Sequence, residues 1–454
     1  MKIIIAGCGK VGDIIIKNLT AEGHDVTVVD NDASVLQTIS NTYDVICING
    51  NCTDYDSLCE AEVAGADMFV AVTGSDELNM LSCYLAKHLG ALHTIARIRN
   101  PEYNDNSKGA AFIKQELDLS LVINPEMMAA QELFNVLKLP SAINIETFAK
   151  RKFEMVELNV KEGTLLDGIA LSDLRKKTSD KFLICVVMRG ENVYIPDGNF
   201  VIRAGDRIGL TAEPVQIQKL LKNLSILKKQ ARKIMIVGAS RVSYYLTKAL
   251  VASGNEVKII DIDRKRCDEF SRILPGADII YGDGAEQDVL VEEGINNMDA
   301  FVALTGMDEE NILLSFYASS LGIPKVITKI NRSELAKMAD KLGLDSIVSP
   351  KRITADIAVR YARALQNSKG SKMETLYKIM SGKAEALEFV VEDSFNYADI
   401  PLKELKTKDN VIIAGIIRGR KSIIPSGDDY IAPKDRVIII SAGHIIEDLS
   451  DIVK

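Results

Sequence analysis

The 454-residue chain lacks any run of about 20 consecutive apolar residues, so no segment reads as a membrane-spanning helix. The apolar start, Met1 to Gly7, is too short for a signal peptide and reads as a strand. There is no excess of positive charge: 55 Lys and Arg against 63 Asp and Glu leave a formal net charge of −8, which argues against a nucleic-acid binder. No Cys-x-x-Cys occurs. The seven cysteines are odd in number and read as reduced thiols, and Cys47, Cys52 and Cys59 have no histidine at zinc-site spacing, so no metal is expected. Only four histidines are present, His24, His88, His93 and His444, and none marks a catalytic constellation. These absences point to a cytoplasmic chain that reaches a membrane, if at all, as a peripheral subunit.

What the chain does have is a repeat. Lys2-Ile-Ile-Ile-Ala-Gly7-Cys8-Gly9-Lys10-Val11-Gly12 returns as Lys233-Ile-Met-Ile-Val-Gly238-Ala239-Ser240-Arg241-Val242-Ser243, an offset of 231. Val28-Val29-Asp30 returns as Ile259-Ile260-Asp261, and with one inserted residue Ala71-Val72-Thr73-Gly74 returns as Ala303-Leu304-Thr305-Gly306. A chance motif does not carry the next hundred residues with it, so the chain is a tandem duplication.

In each half, short apolar runs alternate with helical stretches. Lys2–Ala6, Met68–Val72 and His93–Ile98 are near-continuous apolar runs, as buried strands of a parallel sheet require. The fold class expected is α/β: two Rossmann-like, doubly wound parallel-sheet domains, each followed by a small α+β domain. The expected divisions are a nucleotide-binding domain over 1–124, a crossover helix and linker over 125–149, and a small domain over 150–227. The second copy has its sheet domain over 232–349, crossover helix and linker over 350–372, and small domain over 373–454. The polar stretch Asn367 to Lys372 reads as a linker. The helix over 125–139 carries an apolar stripe that suits either packing on its own domain or dimerisation.

Gly7, Gly9 and Gly12 form Gly-x-Gly-x-x-Gly directly after a strand and at the opening of a helix. Gly7 allows the tight turn, Gly9 lets backbone approach a pyrophosphate, and Gly12 lets helix and strand pack closely; the helix N-terminus favours the anion. Asp30, ending the second strand, suits a carboxylate that accepts the ribose hydroxyls, or a helix cap. In the second half Ser240 and Ser243 replace two glycines while Gly238 and Asp261 remain. That half is either a pseudo-domain without ligand or a site where Arg241 and Arg264 recruit phosphate by charge. Thr73-Gly74 and Thr305-Gly306 follow the fourth strands, where a side chain can reach a ligand or cap the next helix. Arg97 and Arg99 close the fifth strand, and Lys329 and Arg332 stand there in the second half. A lysine lacks the bidentate fork, so the two halves need not prefer the same nucleotide.

With these residues in hand, the whole chain resembles the RCK family, cytosolic regulators of potassium conductance. The resemblance rests on Gly7-x-Gly9-x-x-Gly12 with Asp30, Gly50-Asn51-Cys52-Thr53 with Gly282-Asp283-Gly284, and Thr73-Gly74-x-Asp76-Glu77-x-Asn79. Ala96-Arg97-x-Arg99-Asn100-Pro101 and Pro425-x-Gly427-Asp428 add to it. It implies a crossover helix used in dimerisation, and NAD(H), or ATP or ADP, bound across the carboxyl edge of the sheet. The implied ligand set in the first half is Gly7, Cys8, Gly9, Lys10, Val11, Gly12, Asp30, Asn51, Cys52, Thr73, Gly74 and Arg97. In the second it is Gly238, Ala239, Ser240, Arg241, Val242, Asp261, Arg264, Asp283, Thr305 and Lys329. It further implies a homo-oligomer, a dimer or tetramer ring, that gates a membrane potassium transporter subunit of the TrkH or TrkG kind. Asn51 stands where many relatives carry aspartate. The alternative is an NAD-dependent oxidoreductase, but the small modules repeat one another, which fits sensing better than chemistry.

Overall fold

A computed structural model describes all residues except 105–107, 150–151, 179 and 367–370. Four sheets follow one another along the chain. The first is parallel, with strands in the spatial order Ile46–Asn49, Asp25–Asp30, Lys2–Ala6, Met68–Ala71, His93–Arg97 and Leu121–Ile123. Its central strands bury both faces: Ile3, Ile4, Ile5, Phe69 and Val70 are fully buried. The third sheet repeats that order with Asp278–Tyr281, Glu256–Asp261, Lys233–Val237, Ala300–Ala303, Lys325–Lys329 and Ile347–Val348. In both, the strand order reverses beside the first strand, and the carboxyl ends there open a crevice.

The two crossover helices are exchanged between the halves. Pro125–Lys138 packs on Arg241–Ala252 of the second half, and Pro350–Gln366 packs on Lys10–Ala21 of the first. One apolar core therefore runs through both halves and includes Ile15, Leu19, Ala358 and Ala362 together with Leu133, Leu137, Leu246 and Leu250. Asn124 adds a polar tie, its Nδ2 donating to the Tyr245 hydroxyl at 2.9 Å. The expected choice for the first of these helices was its own domain or a dimer interface; it meets the other half of its own chain.

The small sheets are antiparallel. One runs Asn192–Tyr194, Leu183–Arg189, Arg207–Ala212, Phe153–Asn159, Asn144–Phe148; the other runs Ser371–Ile379, Ala384–Val391, Arg436–Ser441, Val411–Arg418, Lys421–Ile423. They share a core in which Phe148, Phe153 and Val186 meet Ile379, Ala386 and Ile440. Two buried glutamates at the same place in each copy bind them reciprocally: Glu157 Oε1 accepts from Met380 N at 3.3 Å, and Glu388 Oε2 from Ala149 N at 3.2 Å.

Two stretches differ from expectation. Residues 144–148 were placed in a linker and form an edge strand; Glu146 interrupts the apolar pattern yet is buried there. Ser371 and Lys372, likewise assigned to a linker, begin a nine-residue strand. The rest of that polar stretch, 367–370, lies outside the described residues.

Candidate functional site

The strand Lys2–Ala6 delivers the chain into a turn that only glycine fits. Gly7 has φ +99°, and a Cβ there would sit 2.9 Å from Thr73 N. A Cβ on Gly12 would lie 2.0 Å from the Gly7 carbonyl oxygen, whereas one on Gly9 would meet nothing within 4 Å. Gly9 is the N-cap of the helix Lys10–Ala21 and supplies no side-chain cap. The first amides of that helix therefore face an open crevice, the arrangement that receives an anion.

Asp30 shapes this turn. Its Oδ2 accepts Cys8 N at 2.6 Å and its Oδ1 accepts Asp32 N at 3.0 Å. The helix cap is Asp32, which takes Ser34 N and Val35 N, so the capping role considered for Asp30 falls to its neighbour. Cys8 is buried and burial pushes its thiol up, as it does for Cys52, which keeps both protonated and unreactive. Asn51 closes a turn, its Oδ1 accepting Thr53 N at 3.1 Å.

The far wall is a latch between the fourth and fifth strands. Fully buried Asn79 takes Thr73 N and Thr73 Oγ1 on its Oδ1, both at 2.7 Å, and donates Nδ2 to the Arg97 carbonyl at 2.8 Å. Asp76 Oδ2 accepts Arg99 N at 2.8 Å and Asn100 N at 2.7 Å. Ser75, not Thr73, caps the helix Asp76–Leu89. Asp308 and Asn311 repeat the latch at an offset of 232, with Asn311 taking Thr305 N and Asp308 taking Asn331 N and Arg332 N. The role of these pairs was not assigned from the residues alone; their exact recurrence was the available signal.

The crevice is a single cleft of 970 Å³ formed by both halves. Gly7, Gly9, Lys10, Val11, Asp30, Asn51, Cys52, Thr73, Gly74 and Arg97 line it from the first half. Ser240, Arg241, Val242, Lys329 and Lys351 line it from the second. Cys8 and Gly12 lie behind the turn, fully or nearly buried. The lining is rich in cations. Burial lowers the pKa of Arg97, with Arg99 and Arg241 adding to the effect, and Arg97 Nε is buried without a partner among the described residues. Burial likewise lowers Lys329 and Lys351, the latter also through Lys10 and Arg97. Cations that depress one another across a cleft are relieved by a polyanion.

The second half's own loop is capped by its serines. Ser240 Oγ accepts Ser243 N and Ser243 Oγ accepts Ser240 N, both at 3.3 Å, a reciprocal cap on the helix Arg241–Ala252, and the Ser243 hydroxyl also donates to the Gly238 carbonyl. Asp261 holds Ala239 N at 2.5 Å as Asp30 holds Cys8. Gly238, Ala239, Asp261, Arg264, Asp283 and Thr305 do not line the shared cleft. Arg264 lies over the Tyr281 ring at 5.4 Å, and Asp283 Oδ1 takes Ala285 N in a turn. The histidines are elsewhere: His24 is buried, His88 sits beside Tyr84, His93 beside Tyr361, and His444 beside the Asp409 carbonyl.

The same duplication appears in comparison with known proteins. The TrkA-N domain matches residues 3–125 and again 234–350, and the TrkA-C domain matches 155–225 and 386–454. The chain is 34% identical over 455 residues to the Trk system potassium uptake protein TrkA homolog of Archaeoglobus fulgidus, covering 100% of both. It is 32% identical over 457 residues to the Trk system potassium uptake protein TrkA of Haemophilus influenzae, covering 99% of this chain and 96% of that one. Among solved structures, the GsuK RCK domain superposes with a TM-score of 0.64 at 17% identity, covering 97% of this chain and 92% of that one. The GsuK channel bound to NAD gives 0.63 at 18%, covering 97% and 77%. At these identities the likeness is one of fold.

Proposed function

The chain belongs to the RCK family in its TrkA branch, and from that premise we propose that it is a nucleotide-binding regulatory subunit of potassium uptake. The relatives are named for that process. Among the described residues no helix is long and apolar enough to cross a membrane, which suits a peripheral subunit that acts on a separate transporter of the Trk type. The ligand is NAD(H), or ADP or ATP, seated at the uncapped start of the helix Lys10–Ala21. A neighbour of the same fold is described as bound to NAD and another as bound to ADP.

One observation carries this reading: an uncapped glycine turn opens on a cleft ringed with cations from both halves. Diphosphate meets the helix amides and Lys10, Arg97, Arg241 and Lys329 supply charge, while Asp30 faces the ribose. The serine-closed loop contributes its Arg241 to this cleft in place of a second site. The function is regulatory: a ligand shifts an assembly only by its differential affinity for two shapes. Asp30→Ala should weaken NADH binding several-fold in titration calorimetry. Unchanged affinity would remove the carboxylate from the site.

A further inference from the structure

The cleft touches the starts of two helices that travel together. Lys10–Ala21 begins at Gly9, and Pro350–Gln366 begins with Pro350, Lys351 and Thr354, all of which line the cleft. The first helix has 12 residues, hence a length of ~18 Å. It ends at Glu22, its C-cap. There it meets Arg363 of the second helix, only 2% exposed. Arg363 donates Nε and Nη2 to Glu22 Oε2 and Oε1 at 3.0 and 2.5 Å. It also donates Nη1 and Nη2 to Glu385 Oε2 and Oε1 at 2.8 and 3.1 Å. Glu385 lies in the strand Ala384–Val391 of the second small sheet. One buried guanidinium thus joins the far ends of both helices to a small domain.

The other helix pair supplies an internal comparison. The helix Arg241–Ala252 ends at Ser253 in place of Glu22. Lys138 stands where Arg363 does, fourteenth from the proline that opens its helix, exposed and 4.2 Å over the Phe134 ring. That helix pair also starts at the turn capped by Ser240 and Ser243. Within one chain, the uncapped glycine turn and the buried clamp occur on one helix pair, and the serine-capped turn occurs on the pair with neither Glu22 nor Arg363.

We infer that Arg363 is the coupling element through which a nucleotide in the shared cleft acts on the pair of small domains. The inference rests on the nucleotide reading of the cleft. A ligand that draws the two helix starts together moves their ends as rigid rods. The four-bond fork passes that movement to the strand Ala384–Val391, whose sheet shares a core with the first small sheet. A lysine cannot form such a fork.

The test is hydrogen–deuterium exchange of the full chain with and without ADP, read at Ser371–Ile379 and Ala384–Val391, beside a calorimetric titration with ADP. In the wild type ADP should slow exchange in both strands. Arg363→Met should still bind ADP and lose that difference; Lys138→Met should keep it. Where Arg363→Met does not fold, Glu22→Gln and Glu385→Gln each remove the charge and one of the two acceptor oxygens of one arm at constant size, and each should diminish the difference. Failure of the wild type to bind ADP or NADH would overturn the nucleotide reading itself. Binding without any change in the small domain, or an equal change in Arg363→Met or Glu22→Gln, would overturn the clamp alone.

Discussion

Single residues set the terms of the site. Gly12→Ala puts a Cβ against the Gly7 carbonyl oxygen, and overpacking of this kind costs about 1–3 kcal/mol. A lowered thermal midpoint together with loss of NADH binding is expected, and an intact titration would show that the turn tolerates the side chain. His24 gives a second residue-level outcome. Its ring is buried and neither nitrogen has a partner among the described residues. Burial, the N-terminal ammonium and Arg363 hold its pKa below the ordinary value of 6.5, against Glu22 and Glu447, which raise it. The unfolded chain therefore takes up a proton that the folded chain resists, and stability falls as the pH drops below 6.5. His24→Leu should flatten that decline in thermal unfolding between pH 7.5 and 5.5; a parallel decline would place the acid sensitivity elsewhere.

Elements carry the argument across the molecule. Leu133 is buried in the first crossover helix and its core extends into the second half. Leu133→Ala should cost about 2–5 kcal/mol. Because that core is continuous, the loss should lower one cooperative transition; two separating transitions in calorimetry would mean that the halves unfold independently. Both parallel sheets were legible in the sequence because buried strands such as Lys2–Ala6 and Ala300–Ala303 are written in apolar residues. The edge strand Asn144–Phe148 was not, because Asn144, Glu146 and Thr147 make it polar. The glycine turn was legible because its chemistry is local. The contributions of Lys351 and Thr354 were not, since their nearness to Gly9 arises from helix exchange and leaves no mark in spacing.

For the whole molecule, the asymmetry of the two loops sets a stoichiometry. One nucleotide per chain is expected in equilibrium titration, with the Ser240–Ser243 cap closing the second position. Two equal sites would show that the cap opens. On the regulatory reading the same preparation should leave NADH absorbance flat against a panel of carbonyl substrates; steady turnover would make the protein an oxidoreductase.

The exchanged crossover helices have one more effect. Two separate subunits that traded such helices would associate with either kind of partner and fall apart on dilution. Covalent fusion removes both hazards, because each domain always finds the same mate at a concentration fixed by the tether. Divergence of one copy is then harmless to assembly: it can give up its own ligand and lend its arginine to its neighbour.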